Sequence, residues 1–244
     1  PQGQIPRKEL TMIRKLLLVL VCVTSCSMAL AQESDQAKQL AKANAVISEI
    51  MQAPDKGVPS DLLDKAVCVG IVPAHIKFAL GIGGSYGRGV LVCRTHGNGP
   101  WGAPSLFTIG GGSFGFQIGG KATDIVFLVM NPGGAKKLLQ SKVTLGADAS
   151  IAGGPVGRTA SAETDAQMHA QILSYSRSRG LFGGVALQGA VMKQDNSGNE
   201  KLYGKEVSAQ DILIQGKVSV PAEGRRLDST LTKYSPRGGA PFTP

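Results

Sequence analysis

Apolar positions follow two different textures along this chain. Between residues 34 and 53 they recur every three or four positions, with Ala37, Leu40, Ala41, Asn44, Ile47, Ile50 and Met51 on one stripe. Lys38, Lys42 and Glu49 fall elsewhere on the wheel, so the spacing predicts one amphipathic helix, ended by Ala53-Pro54. Its expected role is to pack on the domain core. A membrane-surface helix is the sharper alternative, but such helices usually carry more Lys and Arg and larger apolar residues. A second, short helix is expected over Ser60–Lys65, with Ser60 as its N-cap.

From Ala66 the helical period gives way to short β-branched and aromatic runs separated by glycines. Residues 66–72, 89–95, 105–110, 113–119 and 123–130 each read as a strand. Asn131-Pro132 predicts a helix through Gln140, with Asn as N-cap and Pro at the first helical position. Further strands are expected in 143–152, from about 166 to 176, and in 181–195, followed by a turn at 196–199. Ser208 opens a last short helix, SAQDILI, and from Pro221 the Pro, Gly and basic residues read as a mobile tail. The fold class expected is α+β, a Gly-rich antiparallel, barrel-like sheet with flanking helices.

The first residues read as processing signal rather than fold. Residues 1–11 begin without Met and are taken as upstream sequence. From Met12, basic Arg14-Lys15, an apolar run from Leu16 to Val23, and Ala29-Leu30-Ala31 match a secretory signal cut after Ala31. The rival reading is lipoprotein processing at Cys26, after Val23-Thr24-Ser25. Either route exports the protein to the periplasm or envelope. The expected organisation is therefore residues 1–31 as leader, 32–58 as the N-terminal helix, 59–215 as the main domain and 216–244 as a flexible basic tail.

Composition sharpens this picture. The 244 residues are 42% hydrophobic and only 18% charged, enough for a sizeable core and too little charge for a chain disordered throughout. Glycine, at 33 residues, is about twice its ordinary share, yet it has no collagen period. In a strand, such glycine implies tight backbone packing, a bulge, or a ligand against the chain, with tight packing the first expectation. Without residues 1–31 the chain holds 22 basic and 16 acidic residues, a net charge of +6, which mildly favours anionic partners. Cys68 and Cys93 then remain, as a disulfide or as two buried small hydrophobes.

Several motifs tempt and fail on context. Gly83-Gly84-Ser85-Tyr86-Gly87 and Gly111-Gly112-Ser113-Phe114-Gly115 both match G-x-S-x-G, but a nucleophile elbow needs a helix after the Ser and both lead into β-like sequence. Gly115 to Ala122 is nearly a P-loop, but Ala122 stands where the Mg²⁺-ligating hydroxyl belongs. His75, His96 and His169 have no metal-ligand spacing, so neither metal nor cofactor is expected. Scattered basic residues with few aromatics among them argue against nucleic acid.

Read as a block, residues 62 to about 203 resemble the SYLF lipid-binding domain family, also described as an actin-regulatory domain in yeast. KAVCVGIVP, KFALGIGGSYGRGVLVCR, GGGSFGFQIGGKATDIVFLVMN, NPGGAKKLL, KVTLGADASIAGGPVGR and SYSRSRGLFGGVALQGAVMKQD carry the likeness. The resemblance implies a non-enzymatic module for membrane lipids, phosphoinositides in eukaryotic members, with the 34–53 helix as a membrane-contacting element. Bacterial relatives are commonly exported or lipidated, and an exported protein would not meet actin. Phosphate headgroups attract Arg forks and Lys point charges, often beside backbone amides freed by glycine. The basic candidates include Arg94, Lys136, Lys137 and Arg158, and the lipid-binding set expected is Lys38, Lys42, Lys77, Arg88, Lys121, Arg177 and Arg179. An envelope scaffold for a protein or glycan is the alternative, and a serine hydrolase comes third.

Overall fold

The computed structural model of the chain describes residues 33–52, 57–156, 167, 169–178, 181–185 and 187–236, with 79–82 and 113–121 described in backbone only. Helix α1 (Asp35–Gln52) forms over the expected span and buries Ala37, Leu40, Ile47 and Ile50 of the expected stripe, but Ala43 and Val46 also face the core while Ala41 is exposed. Helix α2 (Ser60–Lys65) also forms where expected, although Pro59 rather than Ser60 is its N-cap.

The largest departure is in the sheet. The five glycine-separated runs are not five strands but two very long ones, β1 (Cys68–Cys93) and β2 (Ser105–Val129). They pair antiparallel along nearly their whole length, from Cys68↔Val129 to Leu91↔Ser105. Glycine permits this rather than breaking it. Gly70 stands opposite Phe127 and Gly89 opposite Phe107, and a Cβ at either would lie 2.0 or 2.3 Å from the ring of its partner. The rings lie across bare backbone and meet each other edge-to-face at 5.7 Å.

The two-stranded ribbon is folded over on itself. Register shifts fall between Val72 and His75 and between Ala79 and Gly81. Beyond them β1 returns along its own first half, so that a Cβ on Gly87 would meet Val72 and His75. The two ends of β1 converge: the Arg94 amide donates to the Val67 carbonyl at 2.8 Å, and Cys68 and Cys93 are joined by a disulfide. The residues left open as bonded or merely buried are bonded.

The free edge of β2 takes the remaining strands. Near its start, β7 (Val191–Gln194) pairs with Phe107–Gly110, and β3 (Lys142–Thr144) extends the sheet beyond β7. Near its end, β5 (Ile172–Ser178) pairs with Asp124–Val129, flanked by β6 (Leu181–Gly184) and β4 (Ile151–Gly153). The expected antiparallel, barrel-like sheet with flanking helices is present, with one parallel pair, β4 beside β5.

Alternate side chains of β1 and β2 feed two cores. One gathers Val72, Leu91, Phe107, Ile125, Phe127 and Met192 with Leu138 of α3 (Pro132–Leu138) and Ile212 of α5 (Ala209–Leu213). The other places Ile71, Val90, Leu106, Val126, Leu128 and Tyr175 against α1 and α2. Both caps expected for the later helices are present. Asn131 accepts from the Gly134 amide, and Ser208 forms a capping box with Asp211.

Two expectations fail at the C-terminal side. Residues 196–199 are not a turn but the start of helix α4 (Asn196–Tyr203), capped by Asp195. Buried Asn199 stabilises it, its side chain accepting from the Leu106 amide at 2.7 Å and donating to Ser105 at 3.0 Å. The expected tail contains helix α6 (Arg225–Tyr234), which buries Leu227 and Leu231 in the same core as α1. Thr230 donates to Asn44 of α1 at 2.6 Å. Residues 237–244 lie outside the described residues, as do residues 1–32, with Cys26 and the expected leader among them.

Candidate functional site

The ribbon emerges from the core at its folded end, and there its surface chemistry changes. Core strands pair apolar residues on both faces, but Ile76, Phe78 and Tyr86 stand 51%, 56% and 53% exposed. Large apolar groups held in solvent close together on one element mark contact sites more often than single exposed residues do. Phe78 lies over Gly84, where a Cβ would come within 2.8 Å of its ring. Glycine thus serves here to seat an exposed aromatic.

Two of the expected cationic positions meet on this segment. The register sets Lys77 directly opposite Lys121, between the pairs Ile76↔Ala122 and Phe78↔Gly120. Like charges at opposed positions of a ladder are unfavourable, so this juxtaposition suits a partner that brings negative charge. Ala74, at the bulge before it, adopts a left-handed φ of 49°, and its amide donates to Asp124 at 2.9 Å. The bulge re-aims the strand into the exposed segment.

Next to Lys77 sits His75, only 2% exposed, with its Nδ1 lacking a hydrogen-bond partner among the described residues. Burial lowers its pKa, and the Lys77 charge lowers it further. The unfolded state therefore binds this proton more readily than the folded state, and stability should rise with pH up to about 6.5. Urea titrations from acid to neutral pH should display that slope, and His75→Gln should flatten it; an equal slope in the variant would exclude His75 as its source.

The other expected cations are placed differently. Arg88 pairs with Asp195 at 3.4 Å, and its carbonyl accepts from Gln39 of α1. Arg177 is held by Asp124 at 2.9 Å and by Glu49 of α1. Burial pulls the Arg177 pKa down, but the bonds from these two carboxylates prevail and raise it. Both arginines clamp elements together. Lys38 and Lys42 are exposed on the outer side of α1, and Lys38 lies 3.9 Å from Asp35. The apolar face of that helix is occupied by the core, so it has no free hydrophobic stripe to offer a membrane in this state. Arg179 and Arg158 lie outside the described residues.

Arg94 has a structural task as well. Its guanidinium donates to the Ala66, Gly99 and Ser235 carbonyls and stacks 3.9 Å over Trp101. Burial draws its pKa down to about 10, with Asp64 opposing. Ser85 and Ser113 sit within strands, paired with Gly111 and Gly83, and neither opens a helix. Among the described residues no His, Cys, Asp and Glu cluster could hold a metal. No helix among them is long and apolar enough to cross a membrane.

The exposed apolar residues were missed in the sequence. Their only signal there was IKFALGIGGSYG, residues 76–87, where aromatics punctuate glycines without the alternation of a half-buried strand.

A family model described as "Ysc84: Las17-binding protein actin regulator" matches residues 110–234, more than half of the chain. This chain belongs to the Ysc84 family. LAS seventeen-binding protein 3 of Saccharomyces cerevisiae is 31% identical over 192 residues, covering 76% of this chain and 41% of its own length. SH3 domain-containing YSC84-like protein 1 of Homo sapiens is 32% identical over 210 residues, covering 83% and 60%. The Xenopus laevis protein of that name is 30% identical over 208 residues, covering 84% and 61%. The chain thus spans about two fifths to three fifths of these relatives' length. The Ysc84 match ends at residue 234, where α6 ends.

Proposed function

We propose that this Ysc84-family chain is a non-catalytic module that binds anionic membrane lipid through the folded end of its β1–β2 ribbon. The observation that carries the reading is the register that sets Lys77 opposite Lys121 beside exposed Ile76 and Phe78. Lysines near an anionic surface contribute about 1 kcal/mol each. Exposed apolar side chains add the transfer of their area into the acyl boundary. Headgroups of the phosphoinositide type fit this charge, and the cell envelope is the proposed place of action. The chain would reach it through the leader at residues 12–31, or through lipidation at Cys26.

Co-sedimentation of the full chain with phosphatidylcholine vesicles, with and without phosphatidylserine or a phosphoinositide, tests this at low and high salt. Binding is expected to need anionic lipid and to fade with salt. Lys77→Glu should weaken it about tenfold or more. Phe78→Ser should weaken it about tenfold, and both variants should keep the parent's melting midpoint because the side chains are exposed. Binding that is indifferent to lipid charge or to both variants would refute the reading.

A second reading draws on the names of the relatives, which describe binding to another protein. In that case the same apolar patch would receive a polypeptide, no vesicle would be bound, and the module would act as a scaffold. For an exported chain that partner would not be actin.

A further inference from the structure

At the base of the ribbon, where the two ends of β1 converge, the fold leaves a cavity of about 870 Å³. That volume lies within the range of about 300–1,000 Å³ typical of small-molecule sites. Its walls are largely apolar: Val67 and the Cys68–Cys93 bridge on one side, Ala135 and Leu139 on another, and Leu213 and Ile214 on a third. Ile214, just past α5, stands 53% exposed.

The formally charged side chains at this cavity, Lys136 and Arg94, are both cations, beside neutral Gln140 and Gln210. Exposed Lys136 and His96 line it together with Arg94, and no Asp or Glu is among the described lining residues. Lys136 makes no ion pair or side-chain hydrogen bond among the described residues, whereas its neighbour Lys137 donates to the neutral Gln171 amide at 3.2 Å. Arg94 is bound by carbonyls and Trp101, so its charge biases the cavity while its donors are already used. His96 is held at φ 54°, ψ 23°, a left-handed conformation unusual for a residue other than glycine. Unfavourable backbone of this kind concentrates at ligand-binding positions.

We infer that this cavity takes the single hydrocarbon chain of an anionic amphiphile, with the chain between Leu139, Leu213 and Ile214 and the anionic head at Lys136 and His96. A free fatty acid and a lysophospholipid share that chemistry. The site is separate from the membrane-facing patch: ten residues of strand, on the order of 30 Å, divide Cys68 from Phe78.

The test is displacement of a fluorescent fatty acid from the full, delipidated chain by decanoate, laurate, myristate and lysophosphatidate, all below their micellar concentrations. Saturable binding of one molecule per chain is expected, tightening about fourfold for each added methylene. Whichever of laurate and lysophosphatidate binds more tightly supports the site and identifies its source. Lys136→Glu should weaken laurate about tenfold while leaving dodecanol unchanged, and Ile214→Asp should weaken both. Both side chains are exposed, so the variants should melt with the parent. Phe78→Ser should leave laurate binding intact, which separates this site from the ribbon. Absence of saturable binding, affinity that ignores chain length, or a laurate affinity untouched by both cavity variants would overturn the assignment.

Discussion

A chain ending at residue 220 is expected to lose about 5 kcal/mol or more of folding stability, enough to unfold a domain of ordinary stability. Leu227 and Leu231 of α6 are 1% and 0% exposed, and truncating one buried Leu to Ala typically costs about 2–5 kcal/mol. The loss does not end with packing. The Ser235 carbonyl accepts from Trp101 Nε1 at 2.9 Å and from Arg94 at 3.3 Å, and the Ser235 hydroxyl bonds to Asp64. Without this segment Arg94 stays buried with fewer acceptors, a condition that costs several kcal/mol. Urea unfolding of residues 1–220 against the full chain measures the total, and Leu231→Ala within the full chain isolates the packing share. Equal midpoints for the truncated and full chains would mean that α6 contributes nothing to the fold.

Breaking the Cys68–Cys93 bond should cost about 3.5 kcal/mol, the chain-entropy value for a loop of this length. The two cysteines are 25 positions apart, and they tie together the ends of β1, the longest of the described strands. The backbone bond from Arg94 to Val67 remains after reduction. The reduced chain should therefore keep the native fold at neutral pH and unfold at lower urea. Unfolding curves with and without dithiothreitol, and of Cys68→Ala/Cys93→Ala, give the number. Coincident curves would mean that the bridge constrains nothing in the unfolded chain.

How much of this was legible beforehand depended on the range of the interaction involved. The span of α1, the Asn131 and Ser208 caps and the strand character of the Gly-rich stretch were all readable, because each is set by neighbours within a few positions. The joining of five runs into two strands was not. Glycine reads locally as a break, and only the Phe127 ring across Gly70 and the Phe107 ring across Gly89 make it a favourable place in a strand. Helix α4 is similar, since NSGN favours a turn until buried Asn199 finds its partners at Ser105 and Leu106.

The candidate site divides along the same line. Its residue types could be listed from sequence, but their grouping could not. Arg88 and Arg177 have the chemistry of headgroup ligands and lie beside glycines or a second Arg, yet folding gives them Asp195, Asp124 and Glu49 as partners across 107, 53 and 128 positions. Lys77 and Lys121 are 44 positions apart, and the β1–β2 register alone makes them neighbours.

By itself the sequence determined the family, the α+β class, the helix that opens the described domain, and a modest basic excess over residues 32–244. Tertiary structure decided which cations remain available, which apolar residues stand in solvent, and that the presumed tail closes the core. The physical reason is that availability is a property of what surrounds a side chain. In a folded-over ribbon those surroundings come from residues scores of positions away, through a register that no local pattern encodes.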